Sequence, residues 1–245
     1  MNRFEQAAGR LMVALDYPTA ERARELIKTL EGIPCYMKVG MQLYYSAGPD
    51  FVRELKERGY SVFLDLKMHD IPNTVKNGAY SLTSLGVDMF NVHAAGGLKM
   101  MKAAKEGVME ALSASPSLKQ PILIGVTQLT STDQKMLNQE LGIPGTVEES
   151  VVCYASLTKE AGLDGVVASP LEVRAIKETC GQDFKTVTPG IRPAGSAVGD
   201  QSRTLTPLEA MKQGTDYIVV GRPIITAPSP RDAALQIIEE MKQAW

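Results

Sequence analysis

Ser61-Val-Phe-Leu-Asp-Leu-Lys67, running on as Met68-His-Asp70, is the stretch from which the fold can be read. Its first half is apolar on both alternations, the pattern of a strand buried on two faces. Its second half sets Asp65 and Lys67 two residues apart, so they share one face of the strand while Leu64, Leu66 and Met68 take the other. An apolar body that ends in charge fits a parallel strand whose C-terminal end opens onto a site.

Seven further runs of this kind lie at 11–16, 36–40, 89–94, 121–129, 165–169, 185–191 and 217–222. Met12-Val-Ala-Leu15 and Tyr217-Ile-Val-Val220 are likewise apolar on both alternations. Helical spacing of apolar residues fills 19–30 and 50–58, and 233–242 repeats it near the end of the chain. Pro18-Thr19, Ser169-Pro170 and Thr206-Pro207 each place a capping residue or proline before a periodic segment. Strict alternation of strand and helix means parallel strands joined by crossover helices. Eight units favour closure into a single (β/α)8 barrel over residues 1–245, a size that matches the ~250 residues such barrels use. An open doubly wound sheet is the alternative that periodicity leaves standing. No Pro/Gly/Ser-rich linker divides the chain. The wide interval 130–146 predicts an added loop or short helix, and 193–203, rich in Gly and Ser, predicts a functional loop after the seventh strand.

Composition narrows the function. A formal charge of −2 gives no reason for polyanion binding, so nucleic acid is not an expected partner. Residues 1–10 are polar, without the apolar run of a signal peptide, and no stretch approaches the ~20 apolar residues of a membrane span. Cys35, Cys153 and Cys180 lack CxxC or CxxH spacing, which fits buried thiols in a reducing compartment. The expectation is a cytoplasmic protein away from membranes. His69 and His93 have no partners at zinc-site spacing, and the 12 methionines and single Trp245 form no cofactor box. Neither metal nor cofactor is expected.

Polar residues collect where the predicted strands end: Asp16, Lys38, Asp65, Lys67, His93, Thr127, Thr130, Arg192 and Arg222. Asp65 and Lys67 alone could be an ion pair that holds a strand end. Burying charges costs several kcal/mol per ion before pairing, however. With Lys38 and Asp70 they make an alternating set of two acids and two amines that a stable core does not need. Each isolated arginine would read as a solvated surface charge outside a barrel, and His93 reads as a structural hydrogen-bonding residue.

Asp65-x-Lys67-x-x-Asp70-Ile-Pro-Asn-Thr74, with Val13-Ala-Leu-Asp16, Lys38-Val-Gly40, Pro189-Gly-Ile-Arg192 and Val220-Gly-Arg222, resembles the orotidine 5′-phosphate decarboxylase family, in order from residue 11 to residue 222. The resemblance implies loss of CO2 from orotidine 5′-phosphate to give uridine 5′-phosphate, without a cofactor, in a homodimer with shared active sites. It implies a Lys38–Asp65–Lys67–Asp70 network in which Asp70 comes from the partner subunit. Lys67 would stabilise the carbanion at C6 and deliver its proton, since flanking carboxylates favour a charged ammonium there. Arg222 and the Gly221 backbone would bind phosphate, with Arg192 and Gln201 reaching it from a closing lid. Asp16 and Lys38 would hold ribose hydroxyls and Thr74 would reach the neighbouring site. Thr130 and Ser131 are candidates for reading the pyrimidine edge.

Two rivals share parts of this pattern. A magnesium-dependent keto-acid-phosphate decarboxylase or a phosphosugar epimerase can carry an Asp-x-Lys strand and the final phosphate loop; the His69-to-Thr74 and Pro189-to-Arg192 segments favour the nucleotide enzyme. A non-catalytic phosphate-ligand sensor would have no use for an amine aimed at a reacting carbon.

Overall fold

In a computed structural model, which describes residues 2–193 and 204–244, eight parallel strands close into one barrel in chain order. They are β1 (Leu11–Ala14), β2 (Tyr36–Gly40), β3 (Ser61–Met68), β4 (Met89–His93), β5 (Ile122–Val126), β6 (Gly165–Val167), β7 (Lys185–Thr188) and β8 (Tyr217–Val220). β8 pairs back onto β1 through Leu11↔Ile218 and Val13↔Val220, which decides between barrel and open sheet in favour of closure. Six of the strands are shorter than their apolar runs, because ladder pairing stops where the chain turns out toward the mouth; β2 matches its run and β3 extends one residue beyond it.

The helices are α1 (Arg3–Ala8), α2 (Ala20–Thr29), α3 (Met41–Glu57), α4 (Pro72–Ser84), α5 (Gly97–Ala114), α6 (Val147–Glu160), α7 (Val173–Cys180), α8 (Pro207–Lys212), α9 (Arg222–Ile225) and α10 (Pro230–Lys242). The sequence pattern catches only the second half of α3, because Gly48 (φ 68°) and Pro49 kink it and reset its periodicity. Thr206 and Ser169 cap as predicted, each in a capping box with the glutamate three residues on; Thr19 stands at its N-cap without a side-chain capping bond. Residues 130–146 contain a single π-helical turn, Met136–Glu140. Cys35 and Cys180 are buried, and desolvation pushes the Cys35 thiol up to about 12, whereas Cys153 is exposed on α6. The expectation of buried thiols therefore holds for two of the three. Among the described residues no helix is long and apolar enough to cross a membrane.

Two apolar layers result. Leu11, Val13, Met37, Val39, Val62, Leu64, Phe90 and Val92 face outward and pack beneath the helices. Met12, Phe63, Met89, Ile124 and Val187 fill the barrel interior, with Tyr36 and Tyr217 at the starts of their strands, ring centroids 5.7 Å apart. The interior is thus closed with side chains below, and polar groups are left to the mouth.

The strand-start end carries a repeated clasp. Asp88, Asp164 and Asp216 each sit one residue before β4, β6 and β8, two residues after a glycine of positive φ that ends the preceding helical segment. Each carboxylate accepts the backbone N–H of a residue on the strand before it: Val62 at 2.7 Å, Leu123 at 2.8 Å and Thr186 at 2.8 Å. Each aspartate N–H in turn donates to that same residue's carbonyl. Lys56, Lys105 and Lys177 respectively supply the opposing charge.

Candidate active site

A cavity of about 630 Å³ opens at the C-terminal ends of the strands. Its wall includes Asp16, Lys38, Asp65, Lys67, Thr130, Ser131, Arg192, Gly221 and Arg222, which come from the ends of β1, β2, β3, β5, β7 and β8. Residues separated by up to 206 positions in the chain are thereby brought to one wall, from Asp16 to Arg222. Gln201, and with it 194–203 of the predicted lid, lies outside the described residues.

Charge alternates across the cavity floor. Asp16 Oδ1 accepts from Lys38 Nζ at 3.0 Å, Lys38 Nζ lies 3.6 Å from Asp65 Oδ2, and Lys67 Nζ donates to Asp65 Oδ1 at 2.7 Å. The Lys38 side chain is 10% exposed and that of Asp65 14%, so this is charge held largely out of water. Burial works against an ionised Asp65, but the two ammonium groups and hydrogen bonds from Lys67 and Asn91 outweigh it and hold the carboxyl below the ordinary range. The line of charge therefore begins at Asp16. Among the described residues the cavity wall does not include Asp70 or Thr74. Asp70 sits exposed on the turn after β3, its Oδ1 accepting the Ile71 N–H at 2.6 Å, and Thr74 is exposed in the first turn of α4.

Asp65 and Lys67 do share one side of β3, but a plain strand alternation is not what puts them there. β3 and β4 pair in register at Phe63↔Met89 and Leu64↔Phe90, then resume at Met68↔Val92. Three residues of β3 therefore face one residue of β4, Asn91, in a bulge. Lys67 has φ 52°, and among the described residues it is the one non-glycine with positive φ. That conformation costs a side-chain-bearing residue about 1–2 kcal/mol. Asn91 occupies the gap: its Oδ1 accepts the Lys67 N–H at 2.8 Å and its Nδ2 donates to Asp65 Oδ1 at 2.7 Å. Sequence reasoning passed over Asn91. The available signal was a polar residue inside an otherwise apolar strand, on the same parity as the interior Met89.

Gln128 was also missed, since it lies within a run read as strand to 129. β5 stops at Val126, and the buried Gln128 lines the cavity while its Nε2 donates to Ser150 Oγ at 3.0 Å. His93 closes β4 with its ring centroid 5.5 Å from that of His69. Burial, with the charges of His69 and Lys67, pushes its imidazole below the ordinary range against the pull of Asp65. On the far side of the mouth, Gly221 precedes α9 and its α-carbon faces Asp16, with 3.4 Å between the place a Cβ would take and Asp16 Oδ2. Arg192 follows β7, its backbone N–H donating to the Leu205 carbonyl at 3.0 Å. The floor is thus a row of opposed charges and the rim carries two guanidinium groups, an arrangement suited to an anionic ligand whose reacting end meets an ammonium. Among the described residues, no group of three or more His, Cys, Asp or Glu side chains gathers in a metal-binding arrangement.

Comparison with known proteins gives the same direction. The family model described as orotidine 5′-phosphate decarboxylase / HUMPS family matches residues 9–237. The chain is 52% identical over 235 residues to a curated orotidine 5′-phosphate decarboxylase of Bacillus cytotoxicus, covering 96% of each. Among solved structures it is similar to orotidine 5′-phosphate decarboxylase from Lactobacillus acidophilus, at TM-score 0.84 and 42% identity over 94% of this chain and 98% of that one. The enzyme of that name from Pyrococcus horikoshii aligns at TM-score 0.72 and 29% identity over 95% and 99%. Fold and sequence agree, and the chain belongs to the orotidine 5′-phosphate decarboxylase / HUMPS family.

Proposed function

We propose that this chain converts orotidine 5′-phosphate to uridine 5′-phosphate and CO2 as a cytoplasmic homodimer. The observation that carries the reading is the Asp16–Lys38–Asp65–Lys67 line of alternating charge, which ends at an ammonium facing open cavity. The bond from C6 to the carboxylate breaks, its electron pair stays on C6 in the ring plane, and CO2 leaves. Ring π-orbitals do not take up that pair, so a fixed positive charge is the available stabiliser. Lys67 supplies it, then transfers a proton from Nζ to C6 and regains one from solvent.

The residues that line the mouth support the other roles. Arg222 and Arg192, with Gly221, bind the phosphate, and Gln201, which lies outside the described residues, is assigned to the same group by resemblance. Asp16 and Lys38 hold the ribose hydroxyls. Thr130 and Ser131 read the pyrimidine edge. Asp70 and Thr74, exposed and outside their own cavity wall, complete the site of the other subunit, so each Lys67 meets Asp70 of the partner subunit. The continuation from His69 to Thr74 and the Pro189-Gly-Ile-Arg192 segment support this reading over a magnesium-dependent keto-acid-phosphate decarboxylase.

Incubation with orotidine 5′-phosphate, following loss of its ultraviolet absorbance with and without a metal chelator, tests the proposal. Turnover that persists in chelator is the expected result. No turnover, or turnover abolished by chelator and restored by magnesium, would overturn it.

A further inference from the structure

Lys67 owes its place to a side chain on the neighbouring strand. Where β3 bulges, the ladder loses the backbone partner that would hold Lys67, because three residues face one. The carboxamide of Asn91 replaces it. One end accepts the Lys67 N–H at 2.8 Å; the other donates to Asp65 Oδ1 at 2.7 Å, the same oxygen that takes the Lys67 ammonium at 2.7 Å. Asn91 is 1% exposed, and the residue before it on the same face, Met89, is apolar. A buried amide in that position must have both ends satisfied, and here both ends go to the two residues that carry the chemistry.

We propose that Asn91 is a positioning residue: it holds Lys67 in its left-handed conformation and locks the Asp65 carboxylate against the Lys67 ammonium. It does not face the cavity wall, so it acts through Asp65 and Lys67 and not on substrate. Removing it leaves the bulge free to relax, and the ammonium loses its alignment with the reacting carbon. This inference rests on the decarboxylase reading above.

The test uses the full chain and two variants, with wild type assayed beside them. Asn91→Ala should lower kcat by about 100-fold, the loss expected from misplacing a reacting group by about an ångström. KM and affinity for uridine 5′-phosphate should stay within about threefold, because the groups that hold ribose and phosphate are untouched. Asn91→Asp offers the same donor and acceptor only while its carboxyl is protonated. Its kcat should therefore recover as pH falls, at constant KM, a behaviour that a merely structural role would not produce. Unchanged kcat per folded molecule of Asn91→Ala would overturn the proposal. Where that variant does not fold, a wild-type pH profile for Asn91→Asp would do so. Wild type that fails to turn over orotidine 5′-phosphate would instead sink the decarboxylase reading, so the two failures are distinguishable.

Discussion

Lys67 Nζ and Asp65 Oδ1 lie 2.7 Å apart on a strand that bulges between them. The two are paired, yet Lys67 also borders the cavity and its side chain is 24% exposed. Lys67→Ala should then remove a charge needed in the transition state and leave the ribose and phosphate groups in place. Turnover of orotidine 5′-phosphate should fall by about 10⁴-fold or more, combining lost proton transfer with lost charge stabilisation. Binding of uridine 5′-phosphate, measured by calorimetry, should persist. Substantial remaining turnover would remove Lys67 from the chemistry.

Arg222 follows β8 on the cavity wall, and the role proposed for it is to hold the phosphate, a group that does not react. Binding energy from a non-reacting group can be used to organise the site, so its loss lowers turnover as well as affinity. Arg222→Ala should reduce kcat/KM for orotidine 5′-phosphate severely and for the dephosphorylated nucleoside very little. Equal losses with the two substrates would mean that Arg222 acts through folding.

Shared sites make a prediction of their own. Lys67→Ala and Asp70→Ala homodimers should each be nearly inactive. After subunit exchange, every mixed dimer would hold one site with both defects and one with neither. Random pairing makes half the dimers mixed, each with one good site of two, so activity should recover to about a quarter of wild type. Exchange is followed with an affinity tag on one variant. Confirmed mixed dimers without recovery would place both residues in one subunit's site.

The aspartate clasps at the other end of the barrel should matter for stability and not for chemistry. Lys177 is 5% exposed and bonds Asp216 at 2.7 Å, so Asp216→Ala strands a buried charge and should cost about 3–5 kcal/mol. Asp164 is 31% exposed with Lys105 at 3.6 Å, and Asp164→Ala should cost about 1–2 kcal/mol. Urea unfolding measures both; kcat per folded molecule should not change. Equal destabilisation would mean that the backbone bonds, and not the buried ammonium, set the strength of the clasp.

The order of elements and the residues at the strand ends were legible in the chain. Strands buried on both faces must be apolar on both alternations, so Val62-Phe-Leu64 and Tyr217-Ile-Val-Val220 declare themselves, and charge after such a run marks the mouth. Lys38, Asp65, Lys67 and Arg222 were found on that ground and by resemblance. α3 was half-read because a kink breaks the period, and Gln128 was hidden because an apolar run outlasts the strand it belongs to.

What the sequence determined by itself is therefore the alternation of eight strands and helices and the gathering of opposed charges at one end, since both follow from burial pattern and periodicity along the chain. Closure of β8 onto β1, the start of the charge line at Asp16, and the left-handed Lys67 held by Asn91 were decided only by the tertiary structure. Each depends on a partner far away in the chain, and Lys67's backbone is fixed by a residue 24 positions on, across a bulge that strict alternation does not contain.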